Sequence, residues 1–464
     1  MPSFIALIVF SSFIATLFII DCRTTSNVSK ALWVPLIWLT ILASRPISLW
    51  YSPVGTVGNL EDGSTADRII LLLLIFASVF ILFKRKLCWK EWLRMNAWLF
   101  IFFIYCGISI IWSDFPMVSF KRWIRALGSL VIILVVLSEP SPINSIITLI
   151  RRCIYILVPA SILLNKYYPE MAISYNQWTG EEYLAGVTTD KNALGRLCIV
   201  GGIFFFWCLT LAKDCNYHYK KKINRFIDLI ILLMTLWLLI KSKSSTSLGC
   251  LVIGYCVLIG LGLPVIKRNI RYIGTYVIII VFGYWIMDFT FNLTENIVTN
   301  ILHRNMTFTD RTYIWNDLLD RCTNPLFGVG YDSFWLGERF DFFMRKHQVF
   351  EAHNGYLEAY AEVGVTGLFL FFCFLFQVFF KAKNSLVSNF HYGKLRLTFL
   401  FIFMFYNITE ASYKITTLLC FVFVLLAIDV PRKYQSQISE DTITKSKTFE
   451  RRSNRYILRQ SKSN

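Results

Sequence analysis

Charge is what this sequence holds least of. Asp, Glu, Lys and Arg make up 16% of its 464 residues, against 56% hydrophobic and 17% aromatic, and a mean hydropathy of +0.54 leaves too little polar surface to coat a soluble globule of this length. A soluble fold is excluded. There is no CxxC pair, and most of the 12 cysteines, Cys106, Cys198, Cys256, Cys373 and Cys420 among them, sit inside apolar runs, where a thiol behaves as a small hydrophobe. Only Cys322 falls in the longest polar connection, so no internal disulfide closes that segment. The first apolar run, MPSFIALIVFSSFIATLFII, has neither a basic leading region nor a small-residue cleavage site, which predicts a retained helix rather than a removed signal. An internal repeat, common in secondary transporters, is also missing.

What is there is a long series of apolar runs. Candidate spans fall near 4–20, 31–47, 69–83, 97–112, 126–138, 146–164, 193–212, 226–240, 246–266, 272–290, 363–380, 396–409 and 415–430, several of them short against the roughly 20 helical residues that cross a hydrocarbon core. The expectation is an all-α, polytopic membrane helix bundle of twelve to fourteen spans. Lysine and arginine set its orientation, because cytoplasmic loops carry the excess of positive charge. Lys84, Arg85, Lys86, Lys90 and Arg94 crowd one loop, Lys213, Lys220, Lys221, Lys222 and Arg225 another, and Lys267, Arg268 and Arg271 a third. With the 381–396 loop and the 431–464 tail, which holds nine Lys/Arg against three Asp/Glu, all fall on one side. The C-terminus is therefore expected in the cytoplasm. Segments 48–68, 113–125, 165–192 and 291–362 fall on the other side, and the 62 residues 291–352 carry six Lys/Arg against eight Asp/Glu. The net charge of +18 is thus stored on the inner side, where it marks topology and attraction to anionic lipid rather than nucleic-acid binding. The organisation read from this is N-terminal membrane helices over 1–290, an outer loop over 291–362, C-terminal membrane helices over 363–430 and a basic tail over 431–464.

Polar residues gather on the outer side in four segments. SDFPMVSFKRWIRALG sets Lys121, Arg122 and Arg125 at helical spacing before a span, and GVTTDKNALGR puts Asp190, Lys191, Asn192 and Arg196 at the start of another. TDRTYIWNDLLDRCTNPLFGVGYDSF and EAHNGYLEAYAEVGVTG follow in the long outer connection. Each has an ordinary reading: lysine at a span end snorkels, Asp190 or Asn192 caps a helix, and Pro325, Gly328 and Gly330 make a turn. The last segment resists this best. Written as a helix, Asn354, Glu358 and Glu362 form one polar stripe, with His353, Leu357, Tyr360 and Gly364 on the neighbouring face, and ionisable groups at a membrane mouth are costly to keep without a function.

These two last segments resemble the O-antigen ligase and O-antigen polymerase family, multi-spanning bacterial inner-membrane enzymes that transfer lipid-linked glycans on the periplasmic face. Arg311 and Trp315 precede a Pro-Leu-Phe-Gly-Val-Gly turn at 325–330, and His353-Asn354 leads to Tyr356, Leu357, Glu362 and a Gly364-x-x-Gly367 entering a span. TTDKNALG and SKSSTSLG (242–249) are similar to the family's upstream motifs, and ALWVPLIWLTILASRPISLW (31–50) resembles the exopolysaccharide-polymerase branch. The tail after Val430 resembles nothing known.

The resemblance implies a glycan donor on undecaprenyl diphosphate and an acceptor that is another lipid-linked glycan, the lipid A core or a protein, with transfer by inversion and with neither metal nor cofactor. It also implies polysaccharide or lipopolysaccharide synthesis in the cell envelope, and a possible separate regulator of chain length. The absence of any D-x-D motif is compatible with metal independence. A diphosphate leaving group calls for arginine, which stays charged and forks onto phosphate oxygens; Arg311 and Arg125 are the candidates, with Arg122 and Arg196 beside them and Lys191, Asn192 and Tyr356 as further substrate contacts. His353 is the group expected to take or orient the acceptor's proton, with Glu358 or Glu362 holding its ring and Asn354 donating to substrate oxygens. A zinc site from His303, His347 and His353 has no standard spacing. Residues 31–50 favour a polymerase over a ligase. The competing class is a transporter or lipid-linked-sugar flippase, which explains many spans and an intramembrane Arg45 but not a long outer loop ending in a polar helix.

Overall fold

Apolar runs fold as helices here because backbone facing lipid must satisfy its own hydrogen bonds. The computed structural model describes residues 2–24, 28–51, 64–85, 87–175, 180–211, 222–292 and 311–431. In chain order its main helices are α1 (Ser3–Thr24), α2 (Trp33–Leu42), α3 (Thr65–Lys84), α4 (Trp89–Met95), α5 (Ala97–Ile108), α6 (Pro116–Leu137), α7 (Pro142–Tyr167), α8 (Lys191–Thr210), α9 (Lys222–Ser242), α10 (Ser245–Gly262) and α11 (Ile273–Phe291). They continue with α12 (Arg311–Asp320), α13 (Gly337–Lys346), α14 (Gly355–Ser388), α15 (Phe390–Thr409) and α16 (Leu418–Ala427). The only strands among the described residues, β1 (Ile173–Tyr175) and β2 (Glu182–Leu184), form an antiparallel hairpin with Ser174 opposite Tyr183.

The all-α membrane bundle expected from the sequence is what forms, but its spans differ in length. Among the described residues seven helices are long and apolar enough to cross a membrane, or eight if α4 is joined to the helix that follows it at a 92° bend, against thirteen expected runs. The shortfall has two physical causes. The run near 126–138 is the apolar second half of α6, whose first half carries Lys121, Arg122 and Arg125; the 396–409 run is likewise the later part of α15, which opens with His391, Lys394 and Arg396, and α9 begins and ends in charge. Runs at 31–47 and 415–430 form short helices, of which α16 is buried along its whole length. It is a central strut around which α6, α8, α14 and α15 pack. By contrast α1, α3 and α11 leave most of their apolar surface uncovered, as lipid-facing helices do. The expected segments 52–63 and 293–310, with His303, and the tail beyond 431 lie outside the described residues.

Arg45 is neither a snorkelling residue nor part of a pathway. Its buried guanidinium donates to the carbonyls of Met171 (2.7 Å), Gly186 (2.7 Å) and Thr188 (3.1 Å), so it ties α2 to the β-hairpin connection that leads into α8. Asp190 caps α8 through the amides of Asn192 and Ala193, both at 2.9 Å. This is the capping role the sequence suggested for Asp190.

The element that positions the site is a break in α14. At Gly364 the backbone leaves helical geometry (φ 66°, ψ −173°), and the helix resumes beyond it. Carbonyls and amides released by the break are taken up by the Pro325–Gly330 turn. Val329 and Gly330 donate to the carbonyls of Ala361 (3.1 Å) and Glu362 (2.9 Å), while Val365 and Thr366 donate to those of Pro325 (2.9 Å) and Leu326 (3.1 Å). Two motifs distant in sequence are therefore one backbone-to-backbone joint. A Cβ at Gly364 would lie 2.3 Å from the Leu326 carbonyl oxygen, and the Gly364 backbone conformation is itself one that only glycine adopts freely. Gly364→Ala is expected to cost at least the 1–3 kcal/mol of a strained backbone, roughly, before steric displacement is added. A drop in the thermal unfolding midpoint with loss of the joint checks this, and an unshifted midpoint would mean the turn gives way freely.

Above the joint, Ile314, Leu318, Phe334, Trp335 and Phe343 close a small apolar core of their own. Around it α12 and α13 are held against the start of α14. This roof and the loop between α15 and α16 face each other across a hollow.

Candidate functional site

Arg311 and His353 meet on one carboxylate, Glu410, at the first residue after α15. Arg311 opens α12, and its guanidinium donates to Glu410 Oε1 at 2.9 Å and to the Thr409 carbonyl. His353 Nδ1 lies 3.2 Å from Glu410 Oε2 and 3.1 Å from Glu351 Oε1. The Arg–Trp spacing now has a reason: one helical turn on from Arg311, Trp315 Nε1 donates to the Ala352 carbonyl at 2.9 Å. One face of α12 thus grips both Glu410 and the strand of chain that carries His353.

His353 does not lie on the helical stripe expected for it. It precedes α14 with a left-handed backbone (φ 48°), and Asn354 behind it is the helix cap, its Oδ1 accepting from Tyr356 N (3.0 Å) and Leu357 N (3.1 Å). A non-glycine residue held there is strained, and such strain gathers at functional sites. Nor do Glu358 and Glu362 hold its ring: Glu351 and Glu410 do. Burial pulls the imidazole pKa down, but contacts with those two carboxylates outweigh it and raise it from 6.5 to about 10. Glu410, 2% exposed, is pushed up by burial and brought below its usual value by His353 and Arg311. At neutral pH the ring is an imidazolium with Nδ1 committed to carboxylates, so Nε2 is left to donate to a substrate rather than to take a proton.

A second charged cluster lies one to two turns along α14. Lys414, from the α15–α16 loop, bonds Asp332 Oδ1 and Glu362 Oε1, both at 2.7 Å, and stands 3.9 Å from Glu358 Oε1. The Asp332 amide and the Tyr413 hydroxyl donate to Glu362 Oε2. Arg122 closes the cluster on the Asp332 carbonyl at 2.6 Å and its Oδ1 at 3.3 Å. Burial works against a charged Lys414, yet Asp332, Glu362 and Glu358 hold its ammonium above the usual value. Between the two clusters lies a cavity of about 240 Å³ lined by Arg122, Asp332, Trp335, Glu351, Glu358 and Lys414, with Phe340, Phe350 and Tyr413 as aromatic wall.

Of the residues singled out in the sequence, Arg122 and Glu358 line this hollow; Glu362 is bonded to its lining residue Lys414, and His353, which is joined to Arg311 by Glu410, contacts its lining residue Glu351. Arg125 lies within electrostatic reach of Asp332 and Arg122, and Arg196 within reach of Glu351 and Glu410. Three do not point there. Lys191 sits over the Tyr183 ring, the Asn192 side chain accepts from Ser244 Oγ at 3.0 Å, and Tyr356 donates to the Met404 carbonyl while stacking on Phe372. Sequence reading missed Glu410, Tyr413, Lys414 and Asp332. The signal for the first three was available: ITEASYKIT sets two opposite charges in a link between two apolar spans, where an ionisable group is costly.

The atoms offered by Glu351, His353 and Glu410 lie within 4.8 Å of one another, as metal ligands would. Arg311 and the imidazolium already satisfy those carboxylates, and a cation would have to displace both. His347, once considered with His353, instead lies 2.5 Å from Asp317.

An all-helical multi-pass bundle with a roofed, charged cavity at one end narrows the class to membrane proteins that handle a polar group at the lipid boundary. Residues 229–372 match the family described as O-antigen ligase. This bears out the resemblance carried by the 309–367 motifs, and the matched segment ends before Glu410 and Lys414. The chain is also similar to the exopolysaccharide production protein ExoQ of Rhizobium meliloti (strain 1021), 26% identical over 311 residues. That match covers 63% of this chain and 66% of the relative, just under two thirds of its length. Fold and matched segment together describe a multi-pass membrane protein that is similar, over residues 229–372, to the O-antigen ligase family.

Proposed function

We propose that this chain is a membrane glycosyltransferase that moves a glycan from undecaprenyl diphosphate to a sugar hydroxyl, facing the periplasm of a bacterial inner membrane with its C-terminus in the cytoplasm. The observation that carries this reading is the convergence of Arg311 and His353 on Glu410, with Glu351, the other carboxylate on His353, lining the cavity. As the bond from the anomeric carbon to the diphosphate breaks, negative charge grows on the departing phosphate oxygens. Arg311 spends part of its fork on Thr409 and Glu410 and keeps further N–H groups for those oxygens. His353 Nε2–H adds a second charge-assisted donor. Both are preorganised, because Glu410 fixes them before substrate arrives. Neither a metal nor a cofactor has a part in this scheme.

The side of the membrane follows from the positive-inside distribution, which sets the α12–α14 roof opposite the lysine-rich loops. Undecaprenyl is long and apolar, so its diphosphate reaches the cavity sideways from the lipid. Resemblance of residues 31–50 to the exopolysaccharide branch, and similarity to an exopolysaccharide production protein, favour a repeat-unit polymerase over a ligase. A deletion strain separates the two: loss of a polymerase leaves single repeat units attached, and loss of a ligase leaves polymer on its carrier lipid.

Arg311→Lys tests the phosphate role directly. Lysine keeps the charge but loses the planar fork, so turnover of lipid-linked oligosaccharide by the purified variant should fall by about 10²-fold, a loss typical of removing one well-placed transition-state donor. Full activity in Arg311→Lys would reduce the residue to a point charge.

A further inference from the structure

Two buried polar atoms on the cavity wall lack partners among the described residues: Glu358 Oε2, an acceptor, and Trp335 Nε1, a donor. Both residues line the same hollow of about 240 Å³, and Glu358 is only 4% and Trp335 8% exposed. Leaving such a group buried and unpaired is costly, so an acceptor and a donor left unpaired together call for a ligand that offers both functions. A sugar hydroxyl does. The surrounding rings of Phe340, Phe350 and Tyr413 suit the apolar faces of a sugar.

The other carboxylates nearby are already occupied. Glu362 uses both oxygens on Lys414, Tyr413 and the Asp332 amide; Asp332 is on Lys414 and Arg122; Glu410 is on Arg311 and His353; Glu351 is on His353. Among the described residues the side chain of Glu358 reaches only Lys414, at 3.9 Å, and through its other oxygen.

Resting on the transfer reading above, we propose that this cavity is the acceptor-sugar subsite and that Glu358 is the general base which takes the proton from the acceptor hydroxyl. Trp335 Nε1–H donates to the same hydroxyl oxygen and orients it. That oxygen attacks the anomeric carbon of the donor glycan, the carbon–oxygen bond to the diphosphate breaks with its electron pair going to the diphosphate, and the proton passes to Glu358 Oε2 and then to water. The work is thus divided between two ends of the chamber: cations at Arg311 and His353 for the leaving group, a carboxylate at Glu358 for the attacking one.

The test uses the full chain in lipid nanodiscs with undecaprenyl-diphosphate-linked oligosaccharide, reading release of undecaprenyl diphosphate and the glycan product. Glu358→Gln should lower kcat on the order of 10²-fold or more with the donor KM unchanged, and Trp335→Phe should raise the KM for acceptor but not for donor. Glu358→Ala should be equally slow and should regain turnover in sodium azide, giving a glycosyl azide, because azide attacks without losing a proton. The same azide should not restore Arg311→Lys, whose defect is on the leaving side. Glu358→Gln with more than a tenth of the normal kcat overturns the proposal. So does a Glu358→Ala protein that binds donor normally but gains nothing from azide, which would make the residue a counter-ion for Lys414. If the unaltered protein releases no undecaprenyl diphosphate, the transfer reading itself falls, and this assignment with it.

Discussion

Glu410→Ala is expected to abolish glycan transfer, although no sequence motif pointed to Glu410. It removes the anion that Arg311 and His353 share, leaving two cations facing each other in a largely buried site. Breaking a buried pair by removing one partner costs on the order of 3–5 kcal/mol, most of it the penalty of the charge left behind. Among the described residues His353 then keeps only Glu351, and Arg311 only the Thr409 carbonyl, so neither is fixed when the donor arrives. Glu410→Gln retains the shape and isolates the charge. Its turnover should fall about 10²–10³-fold, as when a preorganised electrostatic contact is lost, with the protein still folded. Near-normal turnover in Glu410→Gln would make the bridge a structural contact only.

His353→Ala should likewise leave no measurable product while expression and membrane insertion persist, since the ring is partly exposed and precedes α14 rather than packing in the helix core. A variant making near-normal polymer would remove His353 from the mechanism. The same residue gives a pH signature. Its folded-state pKa of about 10 is above the roughly 6.5 of the unfolded chain, so the stability it contributes is complete below pH about 6.5 and is lost as pH rises through about 10. The thermal midpoint of the wild type should therefore exceed that of His353→Gln at pH 6, and the gap should close towards pH 10. A gap that widens with pH would place a neutral ring between the carboxylates.

Much of this architecture could be read from residues alone, because hydrophobic run length, loop charge and cap chemistry are local properties. Asp190 capping α8 is of that kind, whereas Gly364, expected on a helix face, is where the structure breaks the helix. What was not legible came from three-dimensional closure. Asn354 looked like the first residue of a polar helical stripe, yet as the cap it stops the helix short of His353 and leaves that residue in a left-handed turn. Glu358 and Glu362 have the right spacing to hold the histidine ring, but the α15–α16 loop brings Glu410 closer and gives Glu362 to Lys414. Tyr356 belongs to the motif and faces α15 rather than the cavity. Arg45, before Pro46, could be read as an intramembrane charge or as a residue at a span end, and it lies just past the end of α2, on carbonyls of the β-hairpin connection. Short spans such as α16 defeated a count based on length because a helix packed on all sides by protein need not match the bilayer.

The most direct measurement is made on the purified chain in nanodiscs given undecaprenyl-diphosphate-linked oligosaccharide and acceptor. Transfer at a single chamber predicts one undecaprenyl diphosphate released for each glycosidic bond made, with the anomeric configuration inverted and both signals gone in His353→Ala. Intact lipid-linked oligosaccharide appearing on the opposite leaflet, with no undecaprenyl diphosphate released, would contradict it and make the protein a carrier.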